Sequence, residues 1–166
     1  MRSIVVLVLL AALAVGGNTA GTVHPATVQW TVVARADFDG DGQEDQVLGE
    51  NSSHPRAYRR ITVRRSAGEN LLEIADEALF WEVLVAPGPL PILVVGAADG
   101  KWLGVRAFMY SPRTTQMQRL TWDGRNQVRG RKIQVDPAGS IAMWTESGRV
   151  AYQYAEGQLR QNPNPR

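Results

Sequence analysis

The sequence predicts an all-β protein, built as an antiparallel meander of short strands. β-Branched and aromatic residues recur in short apolar runs, which is typical of strands. Gly, Pro, Asp-Gly and Ser-Gly separate these runs at short intervals, and Asp-Gly and Ser-Gly pairs favour hairpin turns. The chain has 166 residues, with 16 Gly and 9 Pro, and this length suits one domain with a sizeable core.

The first twenty residues predict a secretory signal peptide. Arg2 supplies a positive start, residues 4–15 are an unbroken apolar run, and residues 16–20 are small or polar. Because that run is too short to span a bilayer comfortably, it is typical of a cleaved signal. We expect cleavage near Ala20, location outside the cytoplasm (secreted, periplasmic or in the cell envelope) and no membrane span afterwards. An uncleaved membrane anchor is the alternative.

After the signal we expect a leader at 21–27, a single β domain at 28–160 and a disordered tail at 161–166. The first strand is predicted at 28–34, and a short apolar segment at Val47-Leu48 follows an acidic loop. Strict alternation around Ile61 and Val63 predicts a half-buried strand at 59–65. Further strands are predicted at 92–95, 102–110, 116–122, 132–135, 141–145 and 150–154.

Residues 70–85 are ambiguous. Asn70 is suited to a helix N-cap, with Glu73 three residues later, and the next apolar residues have helical spacing. Residues 80–85 favour a strand instead. We therefore expect one short helix or loop running into a strand, within a partial propeller-like or sandwich-like domain.

Composition excludes several classes of function. The chain has no Cys, which removes thiol chemistry, thiolate zinc sites and redox function. Loss of residues 1–20 takes away one of the 18 basic residues and none of the 16 acidic ones, leaving a net charge of +1. A chain this close to neutral is a poor candidate for nucleic-acid binding.

The segment Asp-Phe-Asp-Gly-Asp-Gly-Gln-Glu-Asp at residues 37–45 predicts a calcium site. Its Asp residues hold relative positions 1, 3, 5 and 9, and its two Gly residues allow the tight backbone that lets carboxylates converge. Calcium takes six to eight oxygen ligands, whereas magnesium prefers a stricter octahedron. The expected ligands are Asp37, Asp39, Asp41, the backbone carbonyl of Gln43, and Asp45. An acidic surface turn without an ion is the alternative.

An EF-hand does not fit this segment. The EF-hand loop needs a bidentate acid at position 12, and that position is Leu48. It also needs a helix on each side, whereas the flanking Val32-Val33 and Val47-Leu48 favour strands.

The pattern resembles the calcium loops of FG-GAP/VCBS repeats, which occur in integrin-like β-propellers. Residues 37–45 match the pattern D-x-D-G-D-G-x-x-D at every specified position. The resemblance implies that Asp37, Asp39, Asp41, Gln43 and Asp45 are calcium ligands between two strands. It covers nine residues, and the chain holds one intact loop. Because a closed propeller needs at least four blades, we expect only a partial one.

A second set of candidates is basic. Arg56, Arg59, Arg60 and Arg64 lie close in sequence and are candidates for contact with an anion or a glycan. A solvated strand face that balances the acidic loop is the alternative.

These observations predict an exported, calcium-binding, non-catalytic domain that acts as a binding or interaction module. No catalytic residue is assigned. The expected partner is a protein or a cell-surface glycan. The alternative is an inhibitor of a periplasmic or cell-wall hydrolase, with 51–59 as the inserting loop, or a glycan hydrolase.

Overall fold

The computed structural model describes residues 28–99, 102–123, 127–129, 132–145 and 148–162. The predicted signal peptide and leader lie outside these ranges, as do residues 163–166 of the predicted tail. Gln161, the first residue of that tail, is instead the last residue of a strand. Within the described ranges, no helix combines the length and apolar character that a membrane crossing requires.

The chain folds as a succession of β-strands, which confirms the all-β prediction. In order the strands are β1 (Trp30–Ala36), β2 (Asp45–Asn51), β3 (Tyr58–Arg64), β4 (Asn70–Ala86), β5 (Ile92–Asp99), β6 (Trp102–Ser111), β7 (Gln116–Arg119), β8 (Thr121–Trp122), β9 (Gln127–Arg129), β10 (Ile133–Val135), β11 (Ile141–Thr145), β12 (Gly148–Ala155) and β13 (Gln158–Gln161).

Two sheets contain all of these strands. The first is an antiparallel meander in the order β1 to β7, and β9 adds to it by pairing with β6. The second has the order β10-β11-β12-β13-β8, and its only parallel pair among the described residues joins β13 to β8. Short turns connect consecutive antiparallel strands, as the hairpin signals in the sequence predict.

The expectation of a short helix in 70–79 is wrong, since the whole of Asn70–Ala86 is one strand. Pairing with β3 overrides the helical spacing: residues 70–75 of β4 pair with β3, whereas residues 80–86 pair with β5. The bonds to β3 give the backbone N–H and C=O groups of this segment partners that a helix would otherwise have supplied. Tertiary pairing therefore decides the conformation.

β5 divides the core in two. Leu93 and Val95 face one apolar cluster, whereas Ile92 and Val94 face the other, and all four side chains are buried. The first cluster fills the concave side of the meander and contains Phe38, Val47, Ile61, Val63, Leu71 and Phe80. The second lies between β5–β6 and the small sheet, whose contribution includes Ile133, Ile141, Met143, Tyr152 and Leu159. The second half of the domain is thus sandwich-like.

β4 bends in the middle of the meander. Arg60 pairs with Ala75 and Tyr58 pairs with Phe80, so residues 76–79 of β4 lie opposite Arg59 alone. Such an insertion in one strand bends it and increases its twist. The bend is held by Asp76, whose carboxylate accepts hydrogen bonds from the backbone N–H of Ala78 and from the guanidinium of Arg106 on β6.

This ion pair predicts a specific acid sensitivity. Burial by itself raises the pKa of Asp76, but the hydrogen bonds from Ala78 and Arg106 outweigh it and hold the pKa below the ordinary value of 3.8. A lowered folded-state pKa stabilises the fold above the unfolded-state pKa, and the stabilisation is lost as pH falls through the folded value. Near pH 6, Asp76→Asn should therefore lower the free energy of unfolding by about 1–3 kcal/mol.

The difference between wild type and Asp76→Asn should shrink below pH 3.8. Urea unfolding at a series of pH values measures it. Glu77→Gln, a change at the neighbouring exposed carboxylate, is the control and should follow the wild type. A constant difference between wild type and Asp76→Asn across this pH range would contradict the assignment.

Candidate metal centre

The acidic segment forms the connection between β1 and β2. β1 ends at Ala36, β2 begins at Asp45, and these two residues pair with each other. Gly40 and Gly42 both have positive φ, 76° and 87°, a conformation that is readily available to Gly. The loop is flanked by strands on both sides, so the structure agrees with rejecting the helix–loop–helix reading.

Three carboxylates converge in this loop. One oxygen from each of Asp37, Asp39 and Asp45 lies within 4.8 Å of the other two, an arrangement that could hold a metal ion. Asp41 does not belong to this group and is exposed. The side-chain oxygen of Gln43, whose backbone carbonyl is the predicted ligand, accepts a hydrogen bond from the hydroxyl of Ser66 at 3.1 Å.

Backbone N–H groups orient these carboxylates. One oxygen of Asp37 accepts from the N–H of Gly40 at 2.8 Å and of Asp41 at 3.1 Å, and the other accepts from Gly42 at 2.9 Å. An oxygen of Asp39 accepts from the N–H of Asp41 at 3.2 Å. These bonds wrap the loop around its first carboxylate.

Asp45 is the buried member of the group, with a side chain that is 0% exposed. Its two oxygens accept separate hydrogen bonds, from the N–H of Phe38 at 3.0 Å and of Ser66 at 3.3 Å. Burial raises the pKa of Asp45, the hydrogen bonds lower it, and the neighbouring charges of Asp39 and Asp41 raise it further; the net direction is upward. A buried carboxylate of this kind is stabilised in its ionised form by a nearby cation.

A protein cation already contacts the group. The guanidinium Nε of Arg65 lies 2.6 Å from an oxygen of Asp39, whose side chain is only 4% exposed. Arg65 also pairs with Glu69 at 2.9 Å, and its guanidinium donates to the hydroxyl of Tyr110 at 3.4 Å. Arg65 thus supplies positive charge to one of the three converging carboxylates, and the donor set of three carboxylates fits a hard cation.

The sequence pattern did not reveal three residues that build this site. Phe38 is fully buried in the concave core and fastens the loop to it. Arg65 and Ser66 come from the turn between β3 and β4, more than twenty positions along the chain. The position of an aromatic residue between two Asp residues was a sequence signal that could have revealed Phe38. Arg65 and Ser66 carry no such signal, because only the folded sheet brings them to the loop.

The basic candidates differ in their contacts. Arg60 pairs with Glu50 at 3.3 Å and Glu73 at 3.0 Å, on the two strands that flank it. Arg64 donates to the side chain of Asn70 at 3.5 Å. Arg56 and Arg59 are exposed.

Arg56 lines a shallow cleft of about 400 Å³. The other residues around it come from β1, the start of β3, β4 and the loop before β3: Val32, Val33, Pro55, Tyr58, Trp81, Glu82 and Val83. The ring of Tyr58 occupies the space where a Cβ on Gly49 would lie, at 2.3 Å. His54 packs against Trp81 edge-on, with ring centroids 4.2 Å apart.

Comparison with known proteins gives no relative: no family model, no curated protein and no solved structure matches this chain.

The contact between Arg65 and Asp39 predicts how the metal-free protein behaves. Arg65→Gln should lower the melting temperature in chelator, because three converging carboxylates then lose their nearest positive charge. Arg64→Gln is the matched control, since Arg64 is the exposed neighbour outside the acidic group. Equal melting temperatures for wild type and Arg65→Gln in chelator would show that Arg65 does not compensate these charges.

Proposed function

We propose that the protein is an exported, calcium-binding β domain that serves as a non-catalytic binding or interaction module. The observation that carries the calcium assignment is the convergence of Asp37, Asp39 and Asp45 within 4.8 Å. The expectation of export comes from the first twenty residues of the sequence.

Calcium is favoured over other divalent cations by the donor set. The carboxylates are hard oxygen ligands, which disfavours softer transition metals. Calcium tolerates irregular geometry with six to eight oxygens, and it completes its shell from carbonyls and water. The exposed position of Asp41 and Gln43 at the loop surface leaves room for such ligands. Residues 37–45 as a whole match the FG-GAP/VCBS pattern at every specified position.

The ion would join two parts of the sheet. The loop belongs to the β1–β2 hairpin, whereas Ser66 and Arg65 belong to the β3–β4 turn, and both contact the acidic group. An ion bound by the three carboxylates would reduce their mutual repulsion and hold the loop in the conformation that docks on this turn. In a domain without disulfides, such a link adds stability.

A calcium titration of thermal stability tests this function. At a calcium concentration about 100 times its Kd, the gain is about 2.7 kcal/mol, and this raises the melting temperature of a chain of this size by about 5–11 °C. Asp39→Asn should abolish the increase, because it removes one of the three converging charges. Glu44→Gln also removes one negative charge, from an exposed position in the same loop. This control variant should keep the calcium-dependent increase in melting temperature.

Two further results bear on the assignment. Magnesium should raise the melting temperature much less than calcium, since it demands stricter geometry. Arg65→Gln should bind calcium more tightly than wild type, because the ion no longer competes with the guanidinium for Asp39. No increase for wild type in millimolar calcium would overturn the proposal.

A second candidate function concerns the cleft at Arg56, and we propose it as a contact site for an anionic glycan. Arg56 has no ion pair or hydrogen bond with the described residues, so its guanidinium is available to a carboxylate. Tyr58 and Trp81 place aromatic rings in the same cleft, and its volume of about 400 Å³ suits a small ligand.

Calorimetric titration with an oligosaccharide of uronic acids tests this candidate. Arg56→Gln should weaken binding by about tenfold or more, because a hydrogen bond to a charged group is lost. Arg59→Gln, at an exposed position that does not line the cleft, should leave the affinity unchanged. The neutral analogue of the same oligosaccharide should bind weakly to wild type. Equal affinity for both sugars would exclude the role of Arg56.

A further inference from the structure

The exposed apolar side chains are concentrated on one edge of the protein. Four large hydrophobic residues are exposed among those described: Val28 at 56%, Trp30 at 40%, Val32 at 43% and Tyr154 at 40%. The first three lie at alternate positions on and just before β1, so their side chains share one face of this strand. Tyr154 lies on β12 of the other sheet.

β1 is also the outermost strand at one edge of the large sheet, as far as the described residues go. Among the described residues its one pairing partner is β2. The carbonyl of Gln29 accepts from the N–H of Asn51 at 2.9 Å, so the backbone groups of Gln29 and Thr31 point toward β2. Backbone groups of successive residues in a strand point in opposite directions. Those of Val28, Trp30 and Val32 therefore point away from the sheet.

Residues 28–34 themselves lack the features that prevent an exposed edge from pairing with another strand. Natural sheets protect an exposed edge with charged residues, Pro or an early bulge. Residues 28–34 contain neither a charged residue nor Pro, and the bulge of β1 comes only after Val32. A strand with free backbone groups and exposed apolar side chains at the same positions is suited to pairing with another strand.

The sequence of the edge is symmetric about Trp30. Val-Gln-Trp-Thr-Val at residues 28–32 has Val at both ends, Trp in the centre and a small or medium polar residue between. In an antiparallel pair centred on Trp30, Val28 lies opposite the partner's Val32 and Trp30 lies opposite the partner's Trp30. Gln29 then lies opposite the partner's Thr31. Each apolar residue meets an apolar residue, and no like charges oppose each other.

We propose that β1 is a homodimer interface, at which residues 28–32 of two copies pair antiparallel about a two-fold axis through Trp30. The outward N–H and C=O groups of Val28, Trp30 and Val32 then bond to the same groups of the other copy. The two large sheets become one continuous sheet, and a self-complementary patch of this kind closes as a dimer.

The interface is separate from the metal centre. Trp30 precedes Asp37 by seven positions, which is about 23 Å along an extended strand. Dimer formation therefore does not depend on calcium, and the two proposals succeed or fail independently.

Sedimentation velocity over a concentration range, up to about 500 µM because one strand pair buries little surface, tests the proposal. Wild type should show a reversible monomer–dimer equilibrium, both in chelator and in calcium. Trp30→Lys should weaken association by about 30-fold or more, since it removes the central aromatic residue and places like charges opposite each other. Tyr154→Lys changes an equally exposed aromatic residue and should leave association unchanged.

A charge-complementation test distinguishes specific dimer formation from non-specific hydrophobic association. Trp30→Lys and Trp30→Glu should each be monomeric, and an equimolar mixture of the two should recover dimers, because opposite charges then meet at the axis. A monomeric wild type at every concentration would overturn the proposal. So would Trp30→Lys protein that still dimerises, or that becomes monomeric only when Tyr154 is also changed.

The absence of native Cys allows a direct test of register. Gln29→Cys and Thr31→Cys variants, mixed and oxidised, should form disulfide-linked dimers, because opposite residues of an antiparallel pair lie within disulfide reach. Each variant alone should cross-link much less. Equal cross-linking of the single variants and the mixture would reject this register. If β1 pairs with a different protein instead, neither single variant nor the mixture should form disulfide-linked dimers.

Discussion

Burial of β5 on both faces is the constraint from which the architecture follows. Alternate side chains of residues 92–95 enter different apolar clusters, so this strand is covered on two sides. The curled meander supplies one cover and the small sheet supplies the other. Where the small sheet approaches β5, Gly96 leaves room for Leu103 and Ile133, since a Cβ there would lie 2.7 Å from Leu103. Close packing at this seam orders the two sheets relative to each other.

The acidic loop at residues 37–45 lies at the periphery of these two packed sheets. Phe38 inserts into the concave core, and the buried carboxylate of Asp45 receives the N–H groups of Phe38 and Ser66. The burial of Phe38 and the hydrogen bonds to Asp45 hold a negative charge at the edge of an apolar core, where solvent screens that charge weakly. Arg65 offsets part of that charge through Asp39. The loop is thus shaped in advance, and an ion would compete with a protein cation for one ligand.

The symmetry of residues 28–32 gives the edge strand a role distinct from the loop that follows it. β1 carries both features on one short segment: an open, uncharged edge at its start and an acidic connection at its end. The bulge between them, at Val32 to Ala34, changes which residues face the core. Val33 and Ala34 then pack against the concave cluster, while the residues before the bulge keep their apolar side chains in solvent.

The sequence by itself determined the all-β class, the positions of most strands and the acidic loop, because these depend on local alternation, turn residues and spacing. It did not determine the conformation of 70–79, where helical spacing was overridden by pairing with β3. β9 and β13 were also missed, since strands of three and four residues have too few positions to show a period. Only the tertiary structure decided which acids converge and which cations accompany them. Strand register brings Arg65 to Asp39, and it brings Arg60 to Glu50 and Glu73. Because register joins residues that are far apart in sequence, no local pattern predicts these pairs.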